Sequence, residues 1–211
     1  MQLKIYVPKH PLIEHLTNLM QSVDIPPALV KNSAIELAYW LCYEAMRNWL
    51  TLTPIQSNSL DGQTTTELIN TEENILALPL IKSGLLMSES VHKLFAGVNL
   101  FYVSFKGEKS SCDVTDEDKQ SFTDLSSYSK FLILDSIVLS SNKILALLSL
   151  MMAKNVDLSS VRIIFLFCTS DVLQDIGKLY PNLTIYTSCV KDISEVSNLN
   201  SYQMLLKHLQ T

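Results

Sequence analysis

Asp135 follows an apolar run, Phe131 to Leu134, and precedes Ser136-Ile137-Val138-Leu139-Ser140-Ser141-Asn142-Lys143, after which an apolar stretch of helical length reaches Ala153. A short buried strand, a polar turn and a helix in that order form the layout of a phosphate-binding loop. Such a loop aims consecutive backbone N–H groups at the anion, and the helix dipole adds attraction. Glycine usually occupies it, because glycine accepts positive φ and lets the phosphate approach the backbone. Here the turn is Leu139, Ser140, Ser141 and Asn142, with no glycine. Ser hydroxyls can donate to phosphate, Asn tolerates the left-handed region, and Lys143 at the helix start would neutralise a bound anion. The layout is that of an anion site, and the loop chemistry is weakened. A plain buried strand and helix joined by a polar turn fits the same residues, with Asp135 capping the helix.

The elements that must position these residues alternate. Pro26 and Pro27 suit a helix start, and Val30, Ala34, Leu37, Leu41, Ala45 and Met46 recur at three or four residues, predicting a long amphipathic helix to about Leu50. Thr51 to Glu73 is polar with one turn signal, Asp61-Gly62, and reads as a hairpin or loop. Strands are expected at Ile75–Leu80, Leu100–Phe105, Phe131–Leu134, Val161–Cys168 and Leu183–Thr187, with helices after Gly84, from Lys143 to Ala153 and from Asp171 to Leu179. Strands alternating with helices predict an α/β fold, a mostly parallel sheet flanked by helices. Ligands in such sheets sit beyond the carboxyl ends of the strands, where Asp135, Lys82 and Lys106 would share one cleft. The expected organisation is one domain over residues 1–211, with an N-terminal helical segment at 10–50 and a flexible arm at about 106–128. The arm's Asp113, Asp116, Glu117 and Asp118 are expected to be solvated.

Composition bounds the function. Apolar residues make up 47% of the 211 and charged residues 18%, enough to build a full core. A net charge of −5, with no basic block, argues against nucleic acid as a partner. Cys42, Cys112, Cys168 and Cys189 are far apart and predict free, mostly buried thiols in a reducing compartment. The four histidines lack metal-ligand spacing, so no metal is assigned. Charges and prolines in MQLKIYVPKHPLIEHL are unlike a secretory signal, and Asp135, Asn142 and Lys143 interrupt the one near-spanning apolar window, so neither secretion nor a membrane span is expected. Only 5 glycines occur, few for an enzyme with several tight ligand loops.

Several short motifs, in order, resemble the uracil phosphoribosyltransferases: His10-Pro11-Leu12 with His15; Tyr43-Glu44-Ala45; Leu78-Pro79-Leu80-Ile81-Lys82-Ser83-Gly84-Leu85; Leu134-Asp135; Lys154-Asn155; and Tyr180-Pro181-Asn182-Leu183-Thr184-Ile185-Tyr186-Thr187. Each is weak alone, but their order and spacing agree over about residues 9 to 193. The resemblance implies a phosphoribosyltransferase type I fold and a homodimer. It also implies an ancestral reaction of uracil with phosphoribosyl pyrophosphate and Mg²⁺ to give UMP and pyrophosphate. Asp135 would lie against the ribose hydroxyls as the catalytic carboxylate, and Lys82, Lys106, Ser140, Ser141, Asn142 and Lys143 would face phosphate or pyrophosphate.

The departures fall on those positions. Lys82 and Lys106 stand where the family has arginines, keeping the charge but losing the planar fork that grips phosphate. The family's Asp-Pro-Met-Leu-Ala-Thr-Gly-Gly-Ser segment has become Asp135-Ser136-Ile137-Val138-Leu139-Ser140-Ser141-Asn142-Lys143. The glycine-rich segments that hold uracil and pyrophosphate are replaced by Ser197-Asn198-Leu199-Asn200-Ser201-Tyr202 and a terminal QMLLKHLQT, expected as a short amphipathic helix. Losing one preorganised donor costs about 10² to 10³ in rate, so several losses would remove most of an acceleration of roughly 10⁶ or more. The expectation is a pseudoenzyme kept for binding, regulation or assembly with a protein partner that the sequence does not name. The alternative is an active salvage enzyme using Lys82, Lys106, Asp135, Ser140 and Lys143 as substitutes, with Mg²⁺ entering alongside phosphoribosyl pyrophosphate. The Asn, Ser, Ile, Leu and Lys bias suggests an AT-rich genome, and the family occurs in some algal plastid genomes. Plastid stroma or cytoplasm is therefore the expected compartment.

Overall fold

The computed structural model describes residues 2–22, 24–59, 62–70, 73–107, 112–122, 125–192 and Leu209. The expected terminal helix and the Ser197–Tyr202 stretch lie outside these residues, apart from Leu209, which is buried in the core on one face of the central sheet. A six-stranded parallel sheet forms the centre. It runs β1 (Lys4–Tyr6), β10 (Thr184–Lys191), β9 (Val161–Thr169), β8 (Lys130–Val138), β4 (Ile75–Pro79) and β5 (Asn99–Leu100) in spatial order. Strands β4, β8 and β9 are near-continuous apolar runs, as strands covered on both faces must be.

Helices α1 (Pro11–Gln21), α2 (Pro27–Met46) and α3 (Leu85–Leu94) cover one face, where Leu37, Leu41, Met87, Leu134 and Leu166 share a core. Helices α5 (Asn142–Ala153) and α6 (Ser170–Leu179) cover the other, around Ile133, Leu147, Phe165 and Ile176. Asn155, in the left-handed conformation at φ 61°, stops α5. The chain leaves β4 outward to β5 and then returns inward to β8, so strand order reverses between β4 and β8. The carboxyl ends of those two strands form the switch point where ligands settle in open α/β sheets.

The polar stretch after α2 is an antiparallel hairpin, β2 (Leu52–Ser59) with β3 (Gly62–Ile69), that pairs with no other strand among the described residues. Gly62 at φ 113° supplies a backbone conformation that side chains resist. The hairpin's root is clamped where Lys130 pairs with Glu73 at 2.6 Å and also donates to the Trp49 carbonyl.

Three expectations change. The N-terminal residues Lys4 to Tyr6 form an edge strand that no apolar run announced. The strand expected at Leu100–Phe105 divides: Asn99–Leu100 pairs with β4, while β6 (Phe105–Lys106) pairs with β7 (Asp113–Val114). The segment expected as a flexible, solvated arm contains β6, β7 and α4 (Asp116–Ser121), and Val114, Phe122 and Leu125 anchor it in the α5–α6 core. Asp113, Asp116 and Glu117 are exposed, as expected of a solvated segment, and three of its four acids also take partners within the chain. Asp118 accepts from the Ser104 N–H at 2.6 Å, Asp116 pairs with Lys106, and Asp113 with Lys119. The thiols are free, with Cys42 and Cys168 buried and Cys112 and Cys189 only partly so.

Candidate functional site

Strand β8 does not stop at Asp135. It continues to Val138 and stays in register with β9, Asp135 opposite Phe165 and Val138 opposite Cys168. The sequence explains the extension: Ser136 keeps the N–H that a proline would lack, and Ile137 and Val138 are strong strand formers. Asp135 therefore lies inside the strand with only 4% of its surface exposed. Its Oδ1 accepts from the Ser136 N–H at 2.8 Å, and the Ser83 hydroxyl donates to the carboxyl. Burial pushes Asp135 up to about 6, opposed by the Ser83 hydrogen bond, the positive charge of Lys143 and the Ser136 amide. Ser141 holds the N-cap position of α5 without a side-chain capping bond, so Asp135 is not the cap of that helix.

The loop after β4 comes to the same end of the sheet. Gly84 packs so tightly under it that a Cβ there would meet the Leu134 carbonyl oxygen at 2.2 Å and the Leu80 nitrogen at 2.7 Å. That contact seats Ser83, 4% exposed, against Asp135. Lys82 stands exposed on the loop.

The anion loop departs from the geometry such a loop needs. A cradle of consecutive N–H groups alternates right-handed and left-handed residues. Among the described non-glycine residues only Asn155 has positive φ, so none of Leu139 to Asn142 is left-handed. Asn142 begins α5 instead of turning the loop. Leu139 packs against the α1–α3 core, Ser140 is exposed, and Ser141, 5% exposed, donates its hydroxyl to Asp175 Oδ2 at 3.1 Å.

The two remaining lysines have partners of their own. Lys106 pairs with Asp116 at 2.5 Å, and the Lys143 ammonium lies 5.7 Å from the Phe105 ring centroid. The switch point thus gathers Asp135, Ser83 and Lys143, with Lys82 on the flanking loop, and commits Lys106 and Ser141 to the chain's own carboxylates. Sequence reasoning missed Ser83, Asp175, Asp116 and Phe105. Ser83 was within reach, flanked by Lys82 and Gly84 in the loop after a buried strand; the others are brought in only by tertiary packing. Among the described residues no three His, Cys, Asp or Glu side chains gather as a metal site. With Asp135 turned inward and Asp113 and Asp116 paired to lysines, these carboxylates do not suit a Mg²⁺ held by the protein itself.

The sheet order and the switch-point loops define the class, a phosphoribosyltransferase type I fold. The AQ2163 protein of Aquifex aeolicus shares this fold, with a TM-score of 0.72 at 20% identity over 89% of this chain and 88% of that one. The family model for uracil phosphoribosyltransferase matches residues 7–203, and the chain belongs to that family. It is 28% identical over 191 residues to the uracil phosphoribosyltransferase of Synechococcus elongatus, covering 90% of this chain and 88% of the relative. It is 29% identical over 205 residues to the uracil phosphoribosyltransferase homolog of Porphyra purpurea, covering 97% of each. The chloroplastic uracil phosphoribosyltransferase of Arabidopsis thaliana is 20% identical over 186 residues, covering 88% of this chain and 63% of the relative.

Proposed function

We propose that this chain is a uracil phosphoribosyltransferase homologue that has lost catalysis and serves as a binding, regulatory or assembly protein. The observation that carries this reading is Asp135, the carboxylate expected against the ribose, buried in the interior of β8 and hydrogen-bonded within its own chain. Its burial and its hydrogen bonds to Ser136 and Ser83 occupy the carboxyl within the chain, so it is a poor partner for a sugar hydroxyl or a metal-bound diphosphate. The loop without left-handed residues and the Lys106–Asp116 pair support the same conclusion, since both spend groups that would otherwise meet phosphate. An unneeded chain would lose its core as fast as its site; here both faces of the sheet are fully packed, which supports a retained role.

A homodimer accompanies this reading. The β2–β3 hairpin stands apart from the sheet with Leu52, Ile55 and Leu68 exposed, and an isolated two-stranded hairpin is marginal in water without something to pack on. The likeness to the Porphyra purpurea and chloroplastic relatives supports a plastid setting, with cytoplasm the other option. Mg²⁺ would enter only bound to phosphoribosyl pyrophosphate.

The second reading, a weakly active uracil phosphoribosyltransferase, draws on the relatives' names and on Lys143 standing beside Asp135. Incubating the purified protein with uracil, phosphoribosyl pyrophosphate and Mg²⁺ separates the two. The first reading expects no UMP above the uncatalysed background; turnover at rates ordinary for an enzyme would replace it with the second.

A further inference from the structure

A cavity lies away from the switch point, on the α2 face of the sheet where β1 and β10 meet. It encloses about 240 Å³ and is lined by Tyr6, Glu44, Arg47, Asn48 and Tyr186 with the Val7-Pro8 turn. Sites for drug-sized molecules span roughly 300–1,000 Å³, so this one suits a smaller ligand.

Its walls are specific. Tyr6 and Tyr186 stack with ring centroids 5.0 Å apart and planes at 14°, leaving Tyr6, 49% exposed, with a free outer face. Tyr186 is 6% exposed, so its phenol forms an inner wall of the cavity. Glu44 and Arg47 both act on that phenol, and they pair with each other through a single contact of 3.4 Å. Behind Tyr186, the Arg162 guanidinium lies 4.2 Å from the Trp49 ring centroid and 5.8 Å from that of Tyr186, donating to the Ala45 carbonyl. No described carboxylate forms an ion pair with Arg162, so two guanidiniums face one carboxylate and the cluster carries one uncompensated positive charge. A cationic ligand is disfavoured, because the excess charge of the cluster is already positive.

We propose that this cavity binds a small planar aromatic or heteroaromatic carboxylate. The ring lies against Tyr6. The carboxylate accepts from Arg47, the Tyr186 hydroxyl and the Asn48 amide, and Arg162 supplies the balancing charge from behind.

The test uses the full-length protein and three probes of one shape, benzoate, benzamide and benzylammonium, followed by the backbone amide signals of residues 6, 44–48 and 186. Benzoate is expected to give saturable shifts at these positions, benzamide weaker ones and benzylammonium none. Tyr186→Phe, which keeps the ring, and Arg47→Ala, at an exposed position, should each weaken benzoate about tenfold. Glu44→Gln should tighten it. Absence of saturation by benzoate, equal affinity for the three probes, or unchanged binding in both weakening variants would overturn the proposal.

Discussion

Ser136 donates its backbone N–H to Oδ1 of the residue before it, Asp135, at 2.8 Å. That short bond marks where the strand runs on past the point at which a ligand-facing carboxylate would leave it. Its consequences reach the electrostatics, the neighbouring loop and the function.

Asp135 is the first test. Its carboxyl is held at about 6 in the folded chain, above its ordinary value of 3.8. The native state therefore binds more protons than the unfolded state between those values, and this group's contribution to stability falls as pH rises from about 4 to about 6, then stays constant. Asp135→Asn should remove that dependence and stabilise the protein at pH 7 by about 2–3 kcal/mol. Denaturant titrations of both proteins across this pH range check it; an Asn variant equally or more stable at pH 4 than wild type, with no widening gap toward pH 7, would speak against the buried carboxyl.

Gly84 is the second. A methyl group there would press on the Leu134 carbonyl oxygen at 2.2 Å, backbone that cannot swing aside. Gly84→Ala should cost about 2–4 kcal/mol and also disturb Ser83, read as a lower midpoint in urea.

The Lys130–Glu73 clamp is the third. Both side chains are 18% exposed, and Lys130 also satisfies the Trp49 carbonyl. Lys130→Ala should destabilise by about 2 kcal/mol, well above the effect of Lys93→Ala, whose pair with Glu89 lies in solvent.

Assembly is the fourth. If the β2–β3 hairpin docks on a second copy, the protein should sediment at twice its 23.7 kDa chain mass. Replacing residues 53–68 with a short turn should then yield a folded monomer. A wild-type monomer at micromolar concentration would refute the docking.

The parallel sheet was legible because burial on both faces forces near-continuous apolar runs, and Ile75–Pro79, Lys130–Val138 and Val161–Thr169 carry them. Lys4-Ile5-Tyr6 was not, since an edge strand lying exposed has no apolar signature and forms only because β10 offers its edge. The candidate site was legible in its members but not in its geometry. Asp135 was read as ending its strand, whereas Ile137 and Val138 hold the ladder with β9 for three further residues. Lys106 was read as facing a cleft, yet its partner Asp116 arrives through the β6–β7 pairing, ten residues away and at no helical spacing. Loop chemistry could be judged from the missing glycines; the commitment of Ser141 to Asp175 on another helix could not.

The central claim is that the anion loop no longer accepts phosphoribosyl pyrophosphate. Titrating isotopically labelled protein with that compound and Mg²⁺, while following the amide signals of residues 139–143, addresses it most directly. The account predicts no saturable change at these amides. Saturating shifts centred on Ser140 to Lys143 would contradict it.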